Sequence, residues 1–593
     1  MASYKAPLRD MRFVLHELLG GIDPAIEEHK DFTHDLVDPV LDEAAKLCEE
    51  ILHPINRSGD EEGCSIENGV VRTPKGFKEA YDTFREGGWV GIACDPAFGG
   101  QGMLKVVNGF VEEMICGANL SFSLYPGLTH GAYVAIHAHG SDELKAKYLP
   151  NMVEGSWSGT MCLTEPHCGT DLGLLRTKAE PQADGTYRIS GTKIFISAGE
   201  HDLTRNIIHL VLARLPDAPK GVKGISLFLV PKFLVNDDGS LGNRNGVACG
   251  ALEHKMGIKA SATCVMNFDG AEGYLVGEPH RGLQAMFSMM NTERVAVGVQ
   301  GLGVAEASYQ GAVAYARDRL QGRALTGPKH PQKAADPLIV HPDIRRMLLT
   351  QRAYVEGCRA LAAWVSQAID TEHHHPDKAR RHEAADFVAL LTPVVKALLT
   401  DLASECANLG MQVYGGHGYI REWGMEQYVR DARITQIYEG TNGVQALDLV
   451  GRKMPAHAGR YLRAFFHPVD DFITINAQNP EMAEFVEPLA KAFGRLQQAT
   501  LAVAQKGLAN PDEAGAAATE YLRLFGLTAL AYLWARMATV AQSRLESDED
   551  GFYKAKVATA RFYMQRLLPQ TGALLSSIMA GSKSMMAFEE AAF

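Results

Sequence analysis

The sequence predicts an α+β chain, mostly α, ordered as helices, strands, helices and then an additional helical domain. Three observations lead there. Apolar residues recur at three- and four-residue spacing over most of the chain. Between about residues 159 and 280 that rhythm gives way to runs rich in Ile, Val, Phe and Tyr bounded by Gly, Pro, Asn and Asp. The composition is ordinary: 593 residues, 46% hydrophobic and 22% charged, with 58 Gly and 26 Pro. Such a chain is neither disordered nor collagen-like nor a disulfide scaffold, and its length accommodates several domains.

Each element follows in order. The opening stretch MASYKAPLRDMRFVLHELLG carries charges inside its apolar run and lacks a small-residue cleavage site, so it reads as an amphipathic helix packed on the domain rather than a signal peptide. Helical spacing continues at 36–52, at FKEAYDTFREGGW, which stops at Gly87-Gly88, and on to SDELKAKYLPNM. This defines an N-terminal helical domain, 1–158. Strands are expected at 185–197, after an Asp184-Gly185 turn, and at NIIHLVLARL, GISLFLVPKFLV and ATCVMNFDG, giving an antiparallel β domain, 159–282. Long helices resume at 283–320 and fill a bundle, 283–455, interrupted by the Pro-rich loop GRALTGPKHPQKAADPL. Residues 456–593 form the additional helical domain. Its most apolar run, between Arg523 and Arg536, is shorter than the ~20 residues needed to span a bilayer.

Charge and cysteine usage exclude several classes. The net charge of −12 argues against a chain built on phosphate backbones, so no nucleic-acid partner is expected. Ten scattered Cys without a C-x-x-C suit a reduced, cytoplasmic compartment and no metal site. His373, His374 and His375 precede Pro376 in a charged loop without partners at ligand spacing. Gly298, Gly301 and Gly303 follow no strand and are not a dinucleotide fingerprint.

Four motifs remain. TMCLTEPHCGTD (160–171) offers Thr164, Gly169, Thr170 and backbone amides to the edge of a flat ring, or is a plain turn. In GTKIFISAG, Phe195 and Ser197 share a strand face by the two-residue period, a flavin wall or simply a core aromatic. In MNTERVAVGVQGLG, Glu293 and Arg294 adjoin on an apolar helix, as a base and an anion contact or as an exposed ion pair. The richest is LGMQVYGGHGYIREWGMEQYVRDARITQIYEGTNGVQ: a Gly pair after a helix suits close approach to a pyrophosphate, and a helix ending at Glu439-Gly440, with Thr441 capping the next, lets a carboxylate project into a cleft.

TEPHCGTD, KIFIS, ARDRLQGR and QIYEGTNGVQ, in this order and spacing, closely resemble the flavin-dependent acyl-CoA dehydrogenases over about residues 40–453. The opening segment and the added C-terminal domain resemble a large bacterial subgroup of that family. The resemblance implies a helical domain, a middle β domain and a four-helix bundle, with FAD between the last two. It implies that Met161, Leu163 and Thr164 border the flavin ring, with Gly169 in the same loop, and that Thr170 reaches the pyrophosphate or the pantetheine. Phe195 and Ser197 match the ring-packing aromatic and its hydroxyl. Arg319 and Gln321, with Gln412 and Gly416, match a FAD site shared across subunits, and Thr441 matches a diphosphate contact. Departures are Phe195 for the family's frequent Trp, Ser197 for Thr, Gly322 where an aromatic is usual, and Gly443 for a glutamine.

The implied reaction is α,β-dehydrogenation of an acyl-CoA thioester, the substrate being a fatty acyl-CoA or 3-methylmercaptopropionyl-CoA. A carboxylate takes the α-proton, the β-hydrogen leaves as hydride to the flavin, and the backbone N–H of Glu439 with a FAD hydroxyl polarises the thioester oxygen. Glu439 is the expected base, beside Tyr438 and Gly440 at the substrate. Glu293 is the alternative, because a minority of the family uses that position, and Arg294 would contact CoA. The expected acceptor is an electron-transfer flavoprotein and the expected assembly a homodimer, with the added domain covering the surface that a second dimer would use. Alternatives are an acyl-CoA oxidase and a DNA-associated flavoprotein of the same fold. Residues 520–545 are read as a packed helix rather than a membrane-binding one.

Overall fold

The computed structural model describes residues 3–593, apart from the side chain of Glu28. They divide into two compact units. One contains Lys46–Met103 and Ala118–Ala296; the other contains the chain up to Ala45, Leu104–Gly117 and Val297–Phe593.

The first of these units is built on a seven-stranded sheet, with the path Val247–Leu252, Thr263–Val276, Tyr187–Ser197, Lys178–Pro181, Asn206–Arg214 and Trp157–Cys162, and Ile225–Pro231 pairing with both Thr263–Val276 and Asn206–Arg214. The expected antiparallel pairing holds for most of the sheet, including Asn206–Arg214 with Ile225–Pro231. Two pairings are instead parallel: Trp157–Cys162 with Asn206–Arg214, and Lys178 with Arg214. These strands are joined by long connections rather than tight hairpins, which leaves their direction free. The run NIIHLVLAR is apolar without alternation because both faces are covered. Ile208, Leu210 and Leu212 enter one core with Tyr148, Leu149 and Met152, while Val211 and Ala213 enter the other with Phe228, Ile196 and Met266.

Around the sheet, Phe77–Glu86 stops at Gly87 as its sequence indicates. The helix Asp142–Glu154 has Ser141 at its N-cap, accepting from the Leu144 N–H at 3.2 Å. The long helix Lys105–His139, of which the part up to Gly117 belongs to the other unit, breaks at Asn119, whose side-chain oxygen accepts from the Phe122 N–H at 3.1 Å and restarts the second half. A small hairpin, Ser65–Glu67 with Val70–Arg72, stands in a region expected to be helical. Asn68 and Gly69 both take positive φ, as a two-residue hairpin turn requires.

The second unit is helical. Its early part holds the helix Gly282–Asp318 from Val297 onward, and the helices Pro342–His374 and Lys378–Tyr414. Gly298, Gly301 and Gly303 mark crossings: a Cβ on Gly303 would lie 2.6 Å from the Gly117 nitrogen, and one on Gly298 2.8 Å from Val395. His373 and His374 end the helix Pro342–His374 instead of lying in a loop, and His375 is buried with its Nδ1 accepting from the Asp377 N–H. The opening segment forms Leu8–Arg12 and Phe13–Leu18, burying Met11, Phe13, Val14 and Leu15; Met1 and Ala2 of that stretch lie outside the described residues.

Two helices, Lys378–Tyr414 and Pro511–Gln542, are by length and composition long enough to cross a membrane, although the run between Arg523 and Arg536 alone is not. Of their most apolar windows, 78% and 83% are buried inside the protein, which marks them as core helices. Trp534 donates from Nε1 to the Ala353 carbonyl at 3.0 Å. The basic rim of Pro511–Gln542 is paired as well: Arg523 meets Glu405 at 2.7 Å and Arg536 donates to the Leu18 carbonyl.

Candidate active site

In the sheet unit, the strand Trp157–Cys162 delivers Met161, Leu163 and Thr164 beside the strand Tyr187–Ser197: the Ile194 N–H donates to the Thr164 carbonyl at 2.9 Å. The two-residue alternation expected to align Phe195 and Ser197 is interrupted by a bulge, since Ile196 pairs with Cys264 but Lys193 with Met266. Phe195 takes φ +59 there and the residue is 60% exposed. An aromatic residue in the left-handed region is a genuine outlier, and strain of this kind gathers at functional positions.

Beneath this wall is a feature that the sequence reading missed. Lys193 and Glu165 are buried, and the Lys193 ammonium donates to Glu165 at 2.9 Å and to the Leu163 carbonyl at 3.0 Å. Glu165 also accepts from the Arg176 and Thr177 N–H groups and the Thr177 hydroxyl. Burial works against both charges. At Glu165 the Lys193 charge and these bonds outweigh it, holding the carboxyl down at about 2. At Lys193 burial prevails and draws the ammonium downward. The donors gathered on Glu165 favour the ionised pair. Glu165 and Cys168 also close a tight turn, beyond which Gly169 and Thr170 are exposed.

Glu293 is buried on the helix Gly282–Asp318, its carboxylate packed where a Cβ on Gly131 would fall, 2.5 Å from Oε1. Arg294 is half-buried and donates to Asn291 at 3.4 Å.

In the helical unit, Tyr438, Glu439 and Gly440 occupy a linker, not a helix end. The preceding helix closes at Thr435, because the chain turns off through Gln436, and the next begins at Asn442. Glu439 takes φ +55 and Gly440 φ +81. The Glu439 and Gly440 carbonyls both accept from the buried Gln445 side chain, at 3.3 and 3.1 Å. Tyr438 donates its hydroxyl to Gln300. Thr441 occupies the N-cap position, but its hydroxyl donates back to the Gln436 carbonyl at 3.3 Å instead of capping. Gln300, Gln436, Asn442 and Gln445 were not singled out from sequence; for Asn442 and Gln445 the T-N-G-V-Q spacing after Glu439 was the available signal, and Gln300 and Gln436 carried none.

Arg319 and Gln321 follow the end of the helix Gly282–Asp318, and Gln412 and Gly416 flank the end of the helix Lys378–Tyr414. Tyr315 brings these ends together, stacking on Tyr414 with ring centroids 4.0 Å apart and sharing a 2.8 Å hydrogen bond with His417. All four residues are exposed. The described residues contain no metal-binding group of His, Cys, Asp and Glu.

A helical unit with a strained Glu-Gly linker, and a mixed-sheet unit with a braced strand wall, define a class that comparison with known proteins makes explicit. Family models match in sequence order: the N-terminal domain of acyl-CoA dehydrogenase at 38–156, the middle domain at 160–271, the C-terminal domain at 280–454, and an acetyl-CoA dehydrogenase C-terminal-like domain at 452–589. A 3-methylmercaptopropionyl-CoA dehydrogenase of Ruegeria pomeroyi is 43% identical over 98% of this chain and 99% of its own. A broad-specificity linear acyl-CoA dehydrogenase of Mycobacterium tuberculosis is 35% identical over the full length of both. Among solved structures, a Bacillus anthracis acyl-CoA dehydrogenase complexed with FAD aligns over 99% of this chain and 93% of its own, with TM-score 0.75 at 20% identity, a likeness of fold. The chain belongs to the acyl-CoA dehydrogenase family, oxidoreductases acting on CH–CH bonds.

Proposed function

We propose that the protein catalyses α,β-dehydrogenation of an acyl-CoA thioester, with Glu439 as the base. The observation that carries this reading is the Tyr438–Gly440 linker. It holds a carboxylate outside any helix, at φ +55, with its own carbonyl and that of Gly440 engaged by Gln445. A base needs a fixed approach to the α-carbon, and the bonds from Gln445 to the Glu439 and Gly440 carbonyls support that reading by fixing the linker backbone. The backbone N–H of Glu439 is assigned to the thioester oxygen, where a fixed donor favours the enolate charge. Glu293 remains the second candidate because it is buried and carboxylate-bearing.

FAD is the cofactor of this reading; when bound it accepts the β-hydride. The residues fit it: Phe195 offers an exposed ring that its own fold strains into place, next to a loop braced by Lys193. Met161, Leu163, Thr164, Gly169, Thr170 and Ser197 are assigned to that side. Arg319, Gln321, Gln412, Gly416 and Thr441 are assigned to the diphosphate and adenosine end, shared across a homodimer. Arg294 is assigned to CoA. Similarity over the full length to the Ruegeria and Mycobacterium enzymes favours 3-methylmercaptopropionyl-CoA or a linear acyl-CoA as substrate; an electron-transfer flavoprotein as acceptor and a cytoplasmic location are carried over from the family resemblance.

Glu439→Gln tests the reading. The variant should purify with flavin, yet anaerobic addition of 3-methylmercaptopropionyl-CoA or butyryl-CoA should no longer bleach it, since an amide does not take the proton. Bleaching retained in Glu439→Gln and lost in Glu293→Gln would transfer the role to Glu293.

A further inference from the structure

The linker that carries Glu439 is held at both ends by one side chain. Upstream, the Gln436 side chain donates from Nε2 to Asp401 Oδ1 at 2.6 Å. Downstream, Asn442 donates from Nδ2 to the same oxygen at 2.7 Å. The residues between, Ile437 to Thr441, contain the positive-φ pair Glu439-Gly440 and belong to no helix. Asp401 lies within the long helix Lys378–Tyr414, so both ties end on a rigid element.

The same helix adds further bonds to the downstream tie. Asn442 Oδ1 accepts from the Lys396 ammonium at 2.8 Å, and its Nδ2 also lies 2.9 Å from the Thr400 hydroxyl. Lys396 and Thr400 are fully buried. The backbone N–H of Asn442 returns to the Gln436 carbonyl at 3.1 Å, which closes the linker into a loop. A loop closed on itself still pivots. Two bonds from its opposite ends to one carboxylate oxygen remove that freedom, and each has an ionised acceptor, which makes it stronger than a neutral bond.

We propose that Asp401 is a positioning residue for the reaction, fixing the linker so that Glu439 is held where the α-proton is presented. The proposal rests on Glu439 being the base. Asp401 itself takes no proton and bears no contact to the substrate in this account; its effect passes through Gln436 and Asn442.

The experiment compares Asp401→Ala, Asp401→Asn and Glu439→Gln as FAD-loaded, full-length enzymes, with butyryl-CoA and 3-methylmercaptopropionyl-CoA as probes. The rate of anaerobic flavin bleaching, the half-saturating thioester concentration, flavin content and Tm are measured. Asp401→Ala should slow bleaching by about 10–100-fold, the loss expected of a misplaced reacting group, with flavin content and half-saturation unchanged. Asp401→Asn keeps an oxygen for both donors and should recover most of that rate. Should Asp401→Ala not fold, Gln436→Met cuts one tie alone and should slow bleaching a few-fold with the same unchanged half-saturation. Wild-type bleaching in Asp401→Ala, beside a dead Glu439→Gln, overturns the positioning role and leaves the base assignment standing. Loss of flavin or of half-saturation in step with rate, without rescue by Asn, also overturns it, as the mark of a merely structural residue. Normal bleaching in Glu439→Gln removes the base itself, and the proposal with it.

Discussion

At the scale of single residues, this protein accepts local cost to hold chemistry in place. Phe195 and Glu439 both sit at positive φ, a conformation that costs a side-chain-bearing residue about 1–2 kcal/mol. Each is countered by a buried polar brace: Lys193 on the Leu163 carbonyl beside Phe195, and Gln445 on the Glu439 and Gly440 carbonyls. Lys193→Met should be severe, because it leaves Glu165 buried without its cation, a loss of roughly 3–5 kcal/mol. Chemical denaturation should show that loss, and the double variant Lys193→Met/Glu165→Gln should recover part of it. The Glu165 carboxyl stands below its ordinary value, so the stability it contributes is present above about pH 4.5 and is lost as pH falls towards 2.

At the scale of elements, the glycines of the helix Gly282–Asp318 show how a weak helix former is retained for packing. They lower the helix's own propensity, yet at Gly303 a methyl group would meet the Glu113 carbonyl at 2.7 Å and the Gly117 nitrogen at 2.6 Å. Gly303→Ala should therefore destabilise by about 1–3 kcal/mol, as overpacking does, despite its better propensity; a thermal melt checks this. The hairpin at 65–72 turns on Asn68-Gly69, a strong local turn sign that the helical reading of 1–158 did not take up. The end of the helix before Glu439 carried no such sign. ARITQIY is helical in pattern, yet the helix closes at Thr435, and Gln436 and Asn442 on either side of the linker bond to Asp401, which is distant in sequence.

At the scale of the molecule, the opening segment and the added C-terminal helices are joined through one buried ion cluster. Asp10 meets both Arg359 and Lys556. Arg359 also binds Glu113 and Glu306, each at 2.6 Å, and Lys556 binds Glu356 at 2.7 Å, which Arg352 shares at 2.8 Å. Phe13 packs edge-on against Phe552, with centroids 5.4 Å apart. Carboxylates Asp10, Glu113, Glu306 and Glu356 thus face cations Arg352, Arg359 and Lys556. Glu113 bears the excess: burial pushes its carboxyl up to about 7 against the attraction of Arg359. A raised folded-state value means that the stability it contributes is complete below about pH 4.5 and is lost as pH rises through 7. Glu113→Gln should escape this loss, so its Tm should gain on wild type between pH 5 and pH 8. A difference that stays constant with pH would show that Glu113 does not titrate there.

Taken by itself, the sequence determined the succession of helices, strands and helices, the resemblance to acyl-CoA dehydrogenases and the residues that the resemblance assigns to the site. Those properties are written in local periodicity and in short motifs, which neighbouring residues express without reference to the rest of the chain. The tertiary structure decided the parallel strand pairings, the bulge at Phe195, the Lys193–Glu165 brace, the double tie of Asp401 to the Glu439 linker and the ion cluster around Arg359. Each depends on groups separated by tens to hundreds of residues, and their burial is what gives an ordinary Lys, Asp or Glu its strength. A single side chain in a sequence carries its charge but not its depth, and depth is what the fold supplies.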